Sequence, residues 1–348
     1  MGSSSEAYRR PVGIVSRPYR DEADLQAMQD LLSRSWLADR PFVGATAGDL
    51  AWWRYMHERD DWPERIRCWT DARTGELAGY AWFHPPADLD WHLRPDLRAG
   101  PIVRQMLEWA EERARSYAAS EGLAVPLAVN AWALDADFSA AGALVAAGCN
   151  PGPAGYNHHA RPLRGAARQP ARPVVPDGYV VRSVRGTDDL AARVALHRAV
   201  WALSNVTEAS FAAVMSHYPY RLDTDMVVEA PDGSLTAYAQ GWFDPLGRVG
   251  ELEPVGTHPD HRRLGLARAA CLAAVVRLAE LGAATVVVYS AIETMPRPGM
   301  PPASALYVSL GMPIVSVHRP YSKARASEEA HPREEAHPRE EAHPGDPA

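Results

Sequence analysis

The sequence predicts two tandem domains of one α/β (α+β) type, and three observations carry that prediction. A chain of 348 residues with 47% hydrophobic residues is long for one domain but can fill two cores. Residues 164–177 hold three prolines among small and basic residues with no periodicity, which marks a linker. The order of expected elements before that linker recurs after it over roughly 150 residues, as a tandem duplication would leave it. Domains are therefore expected at 11–163 and 178–323, with a flexible start at 1–10.

In the first half, Ile14–Arg17 reads as a strand, Glu22–Trp36 as a helix and Thr46–Arg59 as a second helix. Ile66–Ala72 and Leu77–Phe83 form a hairpin across Arg73-Thr74-Gly75-Glu76, followed by a strand at Leu89–Leu93. A helix over Pro101–Glu121, a strand over Val125–Asn130, a short helix over Phe138–Ala147 and a strand near Tyr156 complete it. The second half repeats the order. Tyr179–Ser183 is a strand, Thr187–Ala202 a helix capped by Thr187, and Thr207–His217 another helix. Strands at Met226–Glu229 and Leu235–Phe243 flank the Pro231-Asp232-Gly233-Ser234 turn, and Val249–Thr257 is a third long strand. A helix over Leu264–Leu281, a buried strand at Thr285–Tyr289, a short helix at Ala303–Leu310 and a last strand at Ile314–His318 close the pattern.

Charge and cysteine content exclude several functions. Residues 324–348 hold seven carboxylates against three arginines, so −4 of the net charge of −7 lies there and about −3 remains. That balance argues against nucleic acid as a partner. Cys68, Cys149 and Cys271 each lie in an apolar segment, so neither a disulfide framework nor a metal site is expected. No apolar run is long enough to span a bilayer and Met1–Arg10 lacks the pattern of a signal peptide, so a cytoplasmic protein without a membrane partner is expected. The Glu-Glu-Ala-His-Pro repeats of 324–348 have no core-forming residue and are expected to be a disordered tail.

The chemistry concentrates in Gly256-Thr257-His258-Pro259-Asp260-His261-Arg262-Arg263-Leu264-Gly265-Leu266-Ala267, between a strand and a helix. A helix start leaves backbone N–H groups unpaired and carries partial positive charge, so a small-residue loop there can cradle a diphosphate. This segment resembles the acyl-CoA motif of the GCN5-related N-acetyltransferase (GNAT) superfamily, with Arg262, Gly265 and Ala267 at its signature positions. The resemblance covers Tyr179–Tyr321. It implies tandem GNAT-like domains, each a central mixed, mostly antiparallel sheet flanked by helices.

It also implies acetyl-CoA as co-substrate, no metal, and transfer to a primary amine of a small molecule by a monomer or homodimer. Val255, Gly256 and Thr257 would meet the pantetheine, and Arg262, Arg263, Leu264, Gly265, Leu266 and Ala267 the diphosphate. Ala303-x-x-Leu306-Tyr307-x-x-x-Gly311 matches a second family element and makes Tyr307 the expected general acid. Glu251 and Glu253 sit two apart on one strand and share a face. Glu251, at the place where the tandem member mycothiol synthase has its base, is the first candidate and Glu253 the second. The alternatives are a non-catalytic acyl-CoA sensor or scaffold, and acetylation of a thiol-cofactor precursor like that of mycothiol synthase.

The same alignment places Arg98 opposite Arg262, Pro101 at the loop glycine and Leu144 opposite Tyr307. A proline removes an N–H from the cradle, so the first half is expected to be catalytically retired. Nine of the eleven tryptophans lie in that half, as core and seam packing or as an aromatic groove for part of a substrate or an effector.

Overall fold

The computed structural model of the protein describes residues 13–124, 127–163, 171–292 and 303–323. The expected 324–348 tail lies outside them, as does the proline-rich stretch at 296–302. In the first half the elements are β1 (Ile14–Pro18), α1 (Glu22–Asp39), α2 (Ala47–Tyr55), α3 (Trp62–Arg65), β2 (Ile66–Asp71), β3 (Leu77–His84), β4 (Asp88–Leu93), α4 (Ile102–Ser120), β5 (Asn130–Leu134), α5 (Phe138–Ala146), β6 (Asn150–Pro151) and β7 (Tyr156–Pro162). The second half has β8 (Val180–Ser183), α6 (Leu190–Val200), α7 (Glu208–Ser216), β9 (Asp225–Glu229), β10 (Leu235–Asp244), β11 (Val249–Thr257), α8 (Leu266–Leu281), β12 (Thr285–Ala291), α9 (Ser304–Ser309) and β13 (Ile314–Ser322).

All the strands join one mixed, mostly antiparallel sheet, in the order β1-β2-β3-β4-β5-β13-β7-β12-β11-β10-β9-β8 with β6 beside β13. Reading inward from either end gives the same succession of strands, except that the last strands are exchanged. β7 of the first half lies along β12 of the second, from Thr285↔Pro162 to Ala291↔Tyr156. β13 in turn lies along β5, from His318↔Leu134 to Tyr321↔Ala131. Each half is thus completed by the other.

Two elements differ from expectation. The fifth strand runs over Asn130–Leu134, not Val125–Asn130, because the residues able to pair with both β4 and β13 lie further along. Thr187 sits in a 3-10 turn at Gly186–Asp189 and does not cap α6, whose N-cap, Asp189, makes no side-chain cap bond. The Asp189 carboxylate is instead taken by Arg182 at 2.5 and 3.0 Å and by the Arg185 N–H, so a longer-range ion pair overrides the local cap.

The seam between the halves is a continuous core. Trp36, Leu50 and Trp52 pack with Phe211, Val214 and Trp242. The first turn of α2 approaches β10 so closely that a Cβ on Gly48 would overlap the Trp242 side chain. Gly48→Ala is therefore expected to destabilise the chain by about 1–3 kcal/mol through overpacking. Gly142, in α5, has open space at its Cβ, so Gly142→Ala is expected to be neutral or slightly stabilising. Urea midpoints of the two variants check this pair.

Candidate active site

β11 is irregular where the chemistry is expected. Against β10 its register passes from Ala239↔Val255 to Gly241↔Leu252, so Glu253 and Pro254 together oppose Gln240 in a bulge. On its other edge β11 runs parallel to β12 only from Val249↔Thr285 to Glu251↔Val287. Beyond Glu251 the two strands part, and the bulge opens onto the resulting wedge.

Past Thr257 the chain makes a 3-10 turn at Pro259–His261 and enters α8 through two left-handed residues, Arg263 at φ 69° and Gly265 at φ 77°. Gly265 is the N-cap of α8 and offers no side-chain cap, and the backbone N–H groups from Arg263 to Ala267 have no acceptor among the described residues. A Cβ on Gly265 would meet nothing within 4 Å, so the space before this helix start is open. Converging donors, an open approach and two adjacent arginines make a site that an anionic diphosphate fits.

Tyr307 projects from α9 into the core between α8 and β12 and is 5% exposed. Its ring meets that of His159 edge-on, with centroids 5.4 Å apart. His159 belongs to exchanged strand β7 and is held by the Met312 carbonyl and the Ser290 hydroxyl, both at 2.9 Å. The first half thus builds the wall behind Tyr307. Burial above all, then the neighbouring Cys271, Glu253 and Tyr238, raises the phenol well above its usual pKa, so it holds its proton throughout the working pH range.

The two glutamates are not equivalent. Glu251 is 1% exposed and accepts a short hydrogen bond from the Thr46 hydroxyl, which itself accepts from Gly48 and Asp49 N–H at the start of α2. Burial, and next the charge of Asp49, raises Glu251 well above the carboxylate range. Asp49 is pushed up to about 7, also chiefly by burial. Glu253 is only partly buried, and its charge acts on Tyr307, Tyr238 and Glu251 together. The order implied by the resemblance, Glu251 before Glu253, is thus the reverse of their accessibility.

Behind Glu253 stands a network the sequence did not reveal. The Tyr238 hydroxyl accepts from Trp201 Nε1 at 2.8 Å and lies 3.0 Å from His197 Nδ1. The Arg193 guanidinium covers the Tyr238 ring at 3.7 Å and pairs with Asp225, both side chains fully buried. His197 is packed inside this network, and burial lowers it to about 3. His217 stacks on Tyr55 of the first half, centroids 3.9 Å apart. Nothing in the local patterns around Thr46, Asp49 or Arg193 marks their distant partners.

The corresponding part of the first half is built differently. Pro101 stands before α4 where Gly265 stands before α8. Arg98 is turned inward, bound by both Asp137 carboxylate oxygens at 2.8 and 2.9 Å and donating to the Leu93 carbonyl. Leu144 is fully buried in the local core. Among the described residues no cluster of three or more potential metal ligands is present, and no helix is long and apolar enough to cross a membrane.

A bulged strand thus splays from a parallel neighbour and ends in an open loop at a helix start. The sequence model of the Acetyltransferase (GNAT) family matches residues 199–311, from the last residues of α6 to just past α9. The second half therefore carries a domain of the GNAT superfamily. Solved structures extend the likeness in fold over both halves. A GCN5-related N-acetyltransferase from Sphaerobacter thermophilus has 18% identity and a TM-score of 0.57, covering 89% of this chain and 95% of that one. A tandem GNAT protein from the clavulanic acid biosynthesis pathway has 15% identity and a TM-score of 0.55, covering 89% and 98%. N-myristoyltransferase of Saccharomyces cerevisiae, solved with bound myristoyl-CoA, has 12% identity and a TM-score of 0.53, covering 90% and 79%. No protein of curated function matches the chain in sequence.

Proposed function

We propose that the protein transfers an acetyl group from acetyl-CoA directly to a primary amine of a small molecule, with the chemistry in the second half. The observation that carries this reading is the bulge at Glu253, beside a wedge that ends in unpaired N–H donors, with the buried Tyr307 within electrostatic reach of that carboxylate. Acetyl-CoA supplies an activated thioester. The N–H groups of Arg263–Ala267, with Arg262 and Arg263, hold its diphosphate, and the free edge of β11 at Val255, Gly256 and Thr257 holds its pantetheine.

An ammonium must lose a proton before its nitrogen can attack, and Glu253 is the carboxylate placed to take it. Glu251, protonated and fixed by Thr46, keeps a second negative charge away from Glu253 and so assists it. As the carbon–sulfur bond breaks, the Tyr307 hydroxyl gives its proton to the departing sulfur. The bulge holds reactants in register, which supplies the orientation term of the rate. The protein is read as a cytoplasmic enzyme with one working domain of two.

One coenzyme A is expected to bind per chain, because Pro101 and the inward Arg98 leave the first half without a cradle. Gly265→Val forces a β-branched residue into a left-handed conformation, at about 1–3 kcal/mol, and should weaken binding roughly 5- to 150-fold. Pro101→Gly should leave it unchanged. Calorimetry showing two equivalent sites would overturn the reading. Intact coenzyme binding with no turnover on any amine would make the chain a sensor instead.

A further inference from the structure

Acyl transfer leaves a second cavity unused. It measures about 360 Å³ and lies in the first half, where the ends of α2 and β3 meet α3. Trp53, Trp62, Trp82 and Tyr117 supply aromatic walls, Arg59 and Arg65 supply charge, and none of the lining residues is acidic. Trp53 and Trp62 both stand edge-on to Trp82, at 5.8 and 5.7 Å between centroids. Rings braced in this way need little ordering when a ligand arrives.

Two further observations state what the ligand must bring. Trp62 is 5% exposed, yet its indole N–H has no hydrogen-bond partner. An indole nitrogen only donates, so this donor, buried beside the cavity, is left without an acceptor. Arg59 and Arg65 share a single carboxylate, Asp61, at 3.0 and 2.5 Å, which leaves one positive charge uncompensated. Aromatic walls alone would suit a cation as well, but two guanidiniums in the lining repel one.

We propose that this cavity binds a planar aromatic carboxylate. The ring lies among the tryptophans, and the carboxylate faces the Arg59–Arg65 pair. Its volume falls in the range of small-molecule sites. The proposal goes beyond acyl transfer and stands whether or not that activity is found.

The test is a calorimetric titration of the full chain with 2-naphthoate, in the presence and absence of saturating coenzyme A. One saturable site is expected, with affinity changed less than twofold by coenzyme A. Trp62→Phe and Arg65→Gln should each weaken it at least tenfold, as should replacing the probe by 2-naphthylmethylamine. Should Trp62→Phe lower the melting temperature, Arg59→Gln and Arg65→Gln, on side chains 34% and 16% exposed, carry the test. The proposal fails if naphthoate shows no saturable binding, if the amine binds as tightly, or if coenzyme A displaces the probe.

Discussion

Tyr307→Phe lowers turnover roughly 100-fold or more while leaving coenzyme A affinity within about twofold, the size of effect general acid catalysis supplies. The variant removes one hydroxyl and keeps the ring, so the contact with His159 and the packing around α9 persist. The phenol is protonated at every accessible pH, because burial raises its pKa far above the ordinary value. Its loss should therefore lower the rate uniformly from pH 6 to 9 without shifting the pH profile. Glu253→Gln should fall by a comparable factor, since it removes the proton acceptor while keeping the side-chain shape. The measurement is the rate of free thiol release with a responsive amine, read beside thermal melts of each variant. Tyr307→Phe retaining more than a third of wild-type turnover would remove the tyrosine from the mechanism.

What the sequence disclosed and what it concealed follow from the range of each interaction. The loop before α8 was legible because a left-handed glycine, unpaired N–H groups and a helix start are determined within a dozen residues. Tyr307 was legible because its short helix carries a family spacing. Thr46 was readable as the start of a helix, and it does cap α2 with Asp49 completing the box. Its second role, donating to Glu251 across 205 positions of chain, has no local signature. The exchange of β7 and β13 is hidden for the same reason, since only the tertiary arrangement decides their neighbours. Arg193 and Asp225 look like ordinary surface charges in sequence, yet both are fully buried as a pair beneath Tyr238.

Folding stability is expected to peak near pH 6.5 and to fall on the alkaline side through the carboxylates of the seam. Burial lowers His92, His158 and His197 to about 3 and His318 to about 4, so below their unfolded value near 6.5 the unfolded chain binds more protons. Stability therefore rises with pH up to that point, against a smaller opposing trend from the carboxylates, and the histidines then contribute no further change. Asp49 and Glu251 act in the opposite sense. Their folded pKa values are raised, to about 7 for Asp49 and well above the usual range for Glu251, so the folded chain holds protons that the unfolded chain has lost. Each such proton lowers stability by about 1.4 kcal/mol per pH unit until the folded pKa is passed. Asp90 and Glu253 lie within electrostatic reach and reinforce the effect, while the Thr46 hydroxyl and N–H work against it. Glu251→Gln keeps an acceptor for Thr46 and cannot ionise, so above pH 7 its urea midpoint should fall by less than half as much as that of the unaltered chain. An unchanged alkaline fall in Glu251→Gln would show that the proton is not held at this seam.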